Sequence, residues 1–599
     1  MNPQKADPIQ VVYPGNYHKT YEAGTFVMGQ ILKVTPESRL SIQGQLAPLS
    51  VEGFFSHPVS LEVGNNAIRL ALTHNGETHL KNLTLHRQAP LSILPKTPLA
   101  IHPTSVTPQK AIAVCPGGSF YLSFCATPGV EAWLEIEGVL AAPVQIPAIF
   151  PNAKTIQDGI IDNREPLFQE LQQLKQPIPK AGWHSGIVQI PLDATPIANA
   201  PIRLHLKSLL LDVMIQLPIK FAVWDNPRRA TIHSHARPGE NAGDGSVIRQ
   251  NPPEGERTTP LYAGAELWID AILDDWARIR LSPQDTAWVA IKDMIWQADK
   301  THAEPPYVLL GQVNYQASEP FHVLSLSSAL PLPLDIAAKP ESLGITLYGA
   351  TMTVMDSSIP LENNDTVSHV TLKQTRENVV ELEATLSSTQ RLSGFDYRYS
   401  NQRTDILLKP LPKQKSEIRI VLDPGHGGGE LGSTGLSGLP EKDLNLRVAK
   451  QLQSSLLEAG FGEVLLTRNN DVDLSLPARG EFVRQYQPHI VLSLHHNALP
   501  DGRDPRKYEG SCCFYYHAFS KPLAEALQQS LVENARTKNF GVFHESFYMT
   551  RIPQAMSVLI ELGFFTNPKE YERLIDPTFQ KKAVDSLTLG LIEFVEPLQ

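Results

Sequence analysis

Two rhythms of apolar and polar positions divide the chain near residue 414. Before it, short runs alternate apolar with polar residues and stop at turn signals, as in TFVMGQIL, RLSIQG, VSLEVGNN and AIRLALTHNGE. Such alternation buries one face of a strand, and strands this short and this closely spaced predict a small β-sandwich over 1–88. The proline-rich stretch 86–104 reads as a linker. A second all-β domain is expected over 89–229, with FYLSF, AWLEIEG, RLHLKSLLLDVMIQL and FAVW as strands and one helix over 165–175. A third run of short strands, 230–320, carries SVIRQNPPEG, LYAGAELWID, DDWARIRL and TAWVAIKD. In a fourth β domain, 321–413, LGITLYG, HVTLKQT, VVELEATL and FDYRYS alternate before the linker KPLPKQK.

After residue 414 the apolar runs become continuous. IRIVL (418–422), GEVLLTR (462–468), IVLSL (490–494), the run 511–517 and VLI (558–560) read as strands buried on both faces. Between them Leu444, Val448, Leu452 and Leu456 recur four apart, with Pro440 at a first helical position and Gly460 as the stop. Helices are expected at 440–459, 475–486, 521–536 and 577–596, with Ser520 as N-cap of the third. Strands alternating with helices predict a three-layer α/β domain over 414–599. The fold class is therefore multi-domain, with several all-β modules ahead of one α/β domain.

Composition narrows the reading. A chain of 599 residues exceeds the roughly 250–300 at which one core stops growing. With 42% hydrophobic and 19% charged residues it can bury real cores and is not a disordered protein. A net charge of −10 without a basic face argues against a nucleic-acid partner. The opening MNPQKADPIQVVYPG lacks the basic-then-apolar order of a signal peptide, and no run reaches the roughly 18 apolar residues of a transmembrane segment. Cys115 and Cys125 either pair across neighbouring strands or stay as buried thiols, while Cys512 and Cys513 are adjacent on one strand.

The chemistry concentrates at the strand ends of the last region. Asp423, Pro424 and Gly425 end the first strand and present His426 where open α/β sheets place ligands, and Gly427, Gly428 and Gly429 let the backbone approach closely. His495 closes a second apolar strand and Glu561 a third, while Glu441 lies in the first turn of a helix. Alone, Glu441 would merely complement the helix dipole. Together, two histidines and one carboxylate form a catalytic zinc set with an open position for water, and a further carboxylate can act as general base. His426, Glu441 and His495 are thus the expected ligands of Zn2+ and Glu561 the expected base.

Strand neighbours point to opposite faces, so His496 is expected to turn away from the site. His489, His517 and His544 are assigned structural or supporting roles, and Asn497 is expected to orient a ligand or the substrate. Arg468, Asp471 and Arg479 either brace the sheet edge or form ordinary surface pairs.

The segments DPGHGG (423–428), EKDLNL (441–446), LTRNND (466–471), SLHHNA (493–498) and ELGFFTN (561–567) resemble the zinc-dependent N-acetylmuramoyl-L-alanine amidases of the bacterial cell wall. The resemblance implies zinc on His426, Glu441 and His495, catalysis by Glu561, and cleavage of the amide between N-acetylmuramic acid and L-alanine in peptidoglycan. The alternative is a zinc peptidase acting on the stem peptides. It also implies an extracytoplasmic place of action, in the periplasm or cell wall, although no signal peptide is visible, with the N-terminal β modules binding the wall. Residues 230–320 resemble bacterial SH3-like barrels through the spacing of Gly264, Trp276 and Trp288, the tryptophans serving as core or as a ligand platform. Met556 stands where the amidases usually carry a proline before the last strand. Regulated members insert a helical plug after the strand that follows the third ligand. Here only Ala518 and Phe519 separate 511–517 from Ser520, so a zinc site open to solvent is expected.

Overall fold

The structure is a computed structural model describing residues 7–596 apart from 75, 90–92, 150–180, 234–260, 298–307, 319, 361–365, 389 and 401. The helix expected over 165–175 and the stretch SVIRQNPPEG lie outside the described residues.

Strands dominate the chain up to Pro410. In the first 87 residues a three-stranded and a five-stranded sheet enclose Val27, Phe55, Leu40, Leu70 and Leu85, all fully buried. Next, Ala111–Val114 pairs antiparallel with Glu266–Leu273, so one sheet carries strands from both sides of residue 230. Trp288 is buried in the core of this region and Trp276 packs against it. A four-stranded and a five-stranded sheet then occupy 313–410. All four cysteines are buried free thiols, so Cys115 and Cys125 do not pair.

The C-terminal region is a six-stranded sheet with helices on both faces. Its elements are β1 (Arg419–Pro424), α1 (Glu441–Glu458), β2 (Glu463–Leu466), α2 (Leu476–Tyr486), β3 (Ile490–Asn497), β4 (Ser511–Tyr515), α3 (Lys521–Glu533), β5 (Asn539–His544), β6 (Met556–Phe564), α4 (Pro568–Ile575) and α5 (Pro577–Val595). The strand order is β2-β1-β3-β6-β4-β5, parallel except where β4 meets β6. Alternation explains the layers. Ile420, Leu422, Ile490, Leu492, Val558 and Ile560 point to the face covered by α1, α3 and α5, whereas Val421 and Val491 meet Val483 of α2 on the other.

Local chemistry sets the helix ends. Leu444, Val448, Leu452 and Leu456 form the buried stripe of α1. Pro440 is its N-cap rather than its first helical residue, because an extended ψ of 143° keeps it outside the helix. Ser520 stands at the N-cap of α3, as expected, but its side chain makes no cap hydrogen bond: it ends a helical turn (Ala518–Ser520), and its hydroxyl accepts the Ser557 N–H. The reading from sequence passed over β5 and α4. The latter is capped by Asn567, which accepts from the Lys569 and Glu570 N–H groups.

The β region and the α/β region share an interior. One apolar cluster runs from Phe26 and Phe54 through Leu324, Leu382 and Phe395 to Leu527 and Leu591. Phe54 meets Tyr571 edge-on at 5.0 Å, and the Phe395 N–H donates to the Pro553 carbonyl.

Candidate active site

The carboxyl ends of β1, β3 and β6 and the amino end of α1 meet at one place. His426 follows β1 with φ of +61°, a left-handed conformation that few non-glycine residues adopt and that the surroundings must hold. Two arginines do so. Arg468 donates from Nε to the Pro424 carbonyl at 3.0 Å and from Nη2 to those of Gly425 and Lys442 at 3.0 and 2.8 Å. Arg479 donates to the carbonyls of Pro424 and His426 at 2.9 and 2.7 Å and to the Asp423 carboxylate at 2.6 Å. Both are buried, so the surface-pair reading of these arginines is replaced by a clamp on the loop bearing His426. Asp471 completes it, accepting the Gly428 N–H and the Lys442 ammonium.

Asp423 anchors the clamp. Burial opposes its charge, but the Arg479 guanidinium and hydrogen bonds from Thr467 and Ser493 hold its carboxyl below the usual range. Gly425 has a different reason to be there: a Cβ would collide with the His495 imidazole.

Glu441, the first residue of α1, is buried between the histidines. Its Oε1 lies 3.0 Å from His495 Nδ1 and its Oε2 3.4 Å from His426 Nε2. The same oxygens accept the N–H groups of His496 and Ser433 at 3.1 and 2.8 Å. Burial works against the Glu441 charge, yet the hydrogen bonds with His426 and His495 hold its pKa well below the ordinary value. Burial likewise disfavours the His426 imidazolium, and Glu441 outweighs it, raising the pKa. One donor atom from each of His426, Glu441 and His495 lies within 4.8 Å of the others. Two imidazoles and a carboxylate at this spacing suit a metal ion.

Glu561 lies beside His495, its register partner on β6, roughly one strand spacing of 4.8 Å away. Its Oε2 is buried without a hydrogen-bond partner. Burial, and then the charge of Glu441, push its carboxyl well above the usual range. A carboxylate whose buried oxygen lacks a partner, beside a donor triad, is equipped to take up a proton.

The remaining candidates separate from this group. His496 turns to the opposite side, its Nδ1 2.7 Å from Asn445 Oδ1, and burial lowers its pKa to about 4. His489 accepts the Arg419 N–H at the other end of the sheet, and His517 Nε2 donates to the Arg551 carbonyl. Asn497 follows a register shift at the end of β3, and its carbonyl accepts the Phe565 N–H. Between β4 and α3 lie only residues 516–520. Asn445 was not singled out from sequence, although its place four residues after Glu441 puts both on one face of α1.

A family model described as N-acetylmuramoyl-L-alanine amidase matches residues 420–593. The germination-specific N-acetylmuramoyl-L-alanine amidase of Bacillus subtilis (strain 168) is 31% identical over 218 residues, 33% of this chain and 88% of the relative. N-acetylmuramoyl-L-alanine amidase LytC of the same organism is 35% identical over 179 residues, and there this chain spans 35% of the relative's length. The crystal structure of an N-acetylmuramoyl-L-alanine amidase from Clostridium difficile 630 has 28% identity, covering 30% of this chain and 98% of its own, at a TM-score of 0.29. The matched segment holds all three residues of the donor triad, and the match extends over nearly the whole of a relative above 30% identity: the chain belongs to the N-acetylmuramoyl-L-alanine amidase family.

Proposed function

We propose that the chain hydrolyses the amide between N-acetylmuramic acid and L-alanine in peptidoglycan, with His426, Glu441 and His495 holding zinc and Glu561 acting as general base. The observation that carries the residue roles is the convergence of three donor atoms beside a buried carboxylate oxygen that has no partner. Zinc, when bound, supplies a Lewis acid that brings the pKa of water toward about 7 and polarises an amide carbonyl.

The chain's own groups do the rest. Glu561 receives the proton of the attacking water and returns it to the leaving L-alanine nitrogen. Glu441 stays a carboxylate between the two imidazoles, while the arginine clamp keeps His426 in its left-handed conformation. Asn497, at the end of β3 with His495, orients a ligand or the substrate. The β region ahead of residue 414, in which one sheet joins the stretches 89–229 and 230–320, holds the enzyme to the wall outside the cytoplasm. Only residues 516–520 lie between β4 and α3, which supports a site that acts without an activator.

Digestion of purified sacculi by the full chain, with and without chelator, tests the reading. Products weighing as intact stem peptides with a free L-alanine amine, lost on chelation, are expected. New amine ends inside the stem would instead establish a peptidase.

A further inference from the structure

We infer that Asn445 is the positioning residue that sets the three ligand-bearing segments against one another; the inference rests on the metal-site reading above. Asn445 is fully buried on α1, one turn after Glu441. Its Nδ2 donates to Glu441 Oε1 at 3.1 Å and to the Gly425 carbonyl at 3.2 Å. Its Oδ1 lies 2.7 Å from His496 Nδ1. Each partner either is a ligand or adjoins one: Glu441 itself, Gly425 before His426, and His496 after His495. One amide thus ties α1, the loop after β1 and the end of β3 together.

The chemistry leaves one orientation. Turning the amide over would aim its carbonyl at two oxygens, so the NH2 must face Glu441 and Gly425 and the oxygen must accept. His496 then carries its proton on Nδ1. Aspartate has the same shape but, as a carboxylate, no donor, and it would set its charge against Glu441 and a backbone carbonyl. Alanine removes all three hydrogen bonds without adding charge. Partners that orient a metal ligand typically contribute 10- to 100-fold in metal affinity, which sets the scale here.

The test measures zinc affinity of the full chain by chelator competition, melting of the zinc-free protein, and the visible spectrum of the cobalt-loaded protein. Asn445→Asp and Asn445→Ala should each bind zinc about 10- to 100-fold more weakly per folded molecule, with an altered cobalt spectrum. If Asn445→Asp does not fold, Asn445→Ala carries the test. Variants that melt earlier when zinc-free, yet bind zinc as tightly as the parent with an unchanged cobalt spectrum, would reduce Asn445 to a packing role and overturn the inference. His495→Ala separates the two levels. Undiminished zinc binding by that variant would remove the metal-site reading itself, whereas its loss alongside normal binding by both Asn445 variants would overturn only the positioning role.

Discussion

The two ends of the C-terminal sheet both bury ionisable groups, but only one gathers them around a common point. At the carboxyl ends of the strands, Glu441 lies between His426 and His495, and the Glu561 Oε2 beside them has no partner. At the amino ends, Lys409, Arg419 and His489 are also close together, yet each is answered by backbone. Lys409 donates to the Pro488 carbonyl at 2.6 Å, Arg419 to the Gln487 carbonyl at 2.7 Å, and His489 accepts the Arg419 N–H. Perturbed titration at the second end reflects docking of the strand Arg403–Pro410 against the sheet, not chemistry. Burial alone therefore does not mark a site. Convergence with an unsatisfied oxygen does.

The sharpest way to break this comparison is to remove a group from each end. His495→Ala should lose the bound zinc and all measurable turnover, while His489→Ala should keep one zinc per chain, as metal analysis of the purified proteins would reveal. Zinc loss from the His489 variant would mean that the ends are not functionally separate. Glu561→Gln should retain fold and metal yet turn over muropeptides about 10² to 10⁴ times more slowly. Near-normal turnover would remove Glu561 from the mechanism.

Much of the active end is legible in the sequence because its residues are chemically distinctive and stand at strand ends. Glycine brackets His426, and continuous apolar runs lead into His495 and Glu561. The helices are legible from fourfold spacing. Asn445, Arg468 and Arg479 are less so, since each depends on carbonyls distant in sequence that only tertiary closure brings close. Ser520 looks like a cap, and its hydroxyl is taken instead by the distant Ser557. The strand β5 carries Gly541 at its centre, which weakens the apolar pattern that would announce it. Nor does local pattern reveal that Phe395, in an apparently separate β domain, packs edge-on against His517 at 5.3 Å and Phe519 at 6.1 Å.

That shared interior sharpens the comparison at intermediate cost. Phe395→Ala empties a fully buried site where the β region meets α/β residues, and such truncations cost about 3–5 kcal/mol. Urea unfolding should show the loss in the tryptophan-free region 414–599 as well as in the β region, while zinc affinity of the folded protein stays unchanged. A loss confined to the β region would show that the two unfold independently, and a fragment 414–599 should then be as stable as it is within the chain.

The smallest expected effect is a slope. Burial, reinforced by the positive charge of Arg419, brings Lys409 down to about 7 from its ordinary 10.5. Between those values the unfolded chain holds a proton that the folded one has released, so stability from this group rises with pH across that window and is lost as pH falls toward 7. The neutral amine still donates to the Pro488 carbonyl, so the contact itself survives the titration. Lys409→Met loses that hydrogen bond at every pH but has nothing to titrate. Urea midpoints of parent and variant at pH 7, 8.5 and 10 should therefore diverge, the parent gaining relative to the variant as pH rises. Parallel pH profiles would mean that Lys409 keeps its ordinary pKa, and the amino end of the sheet would then be wetter than its geometry indicates.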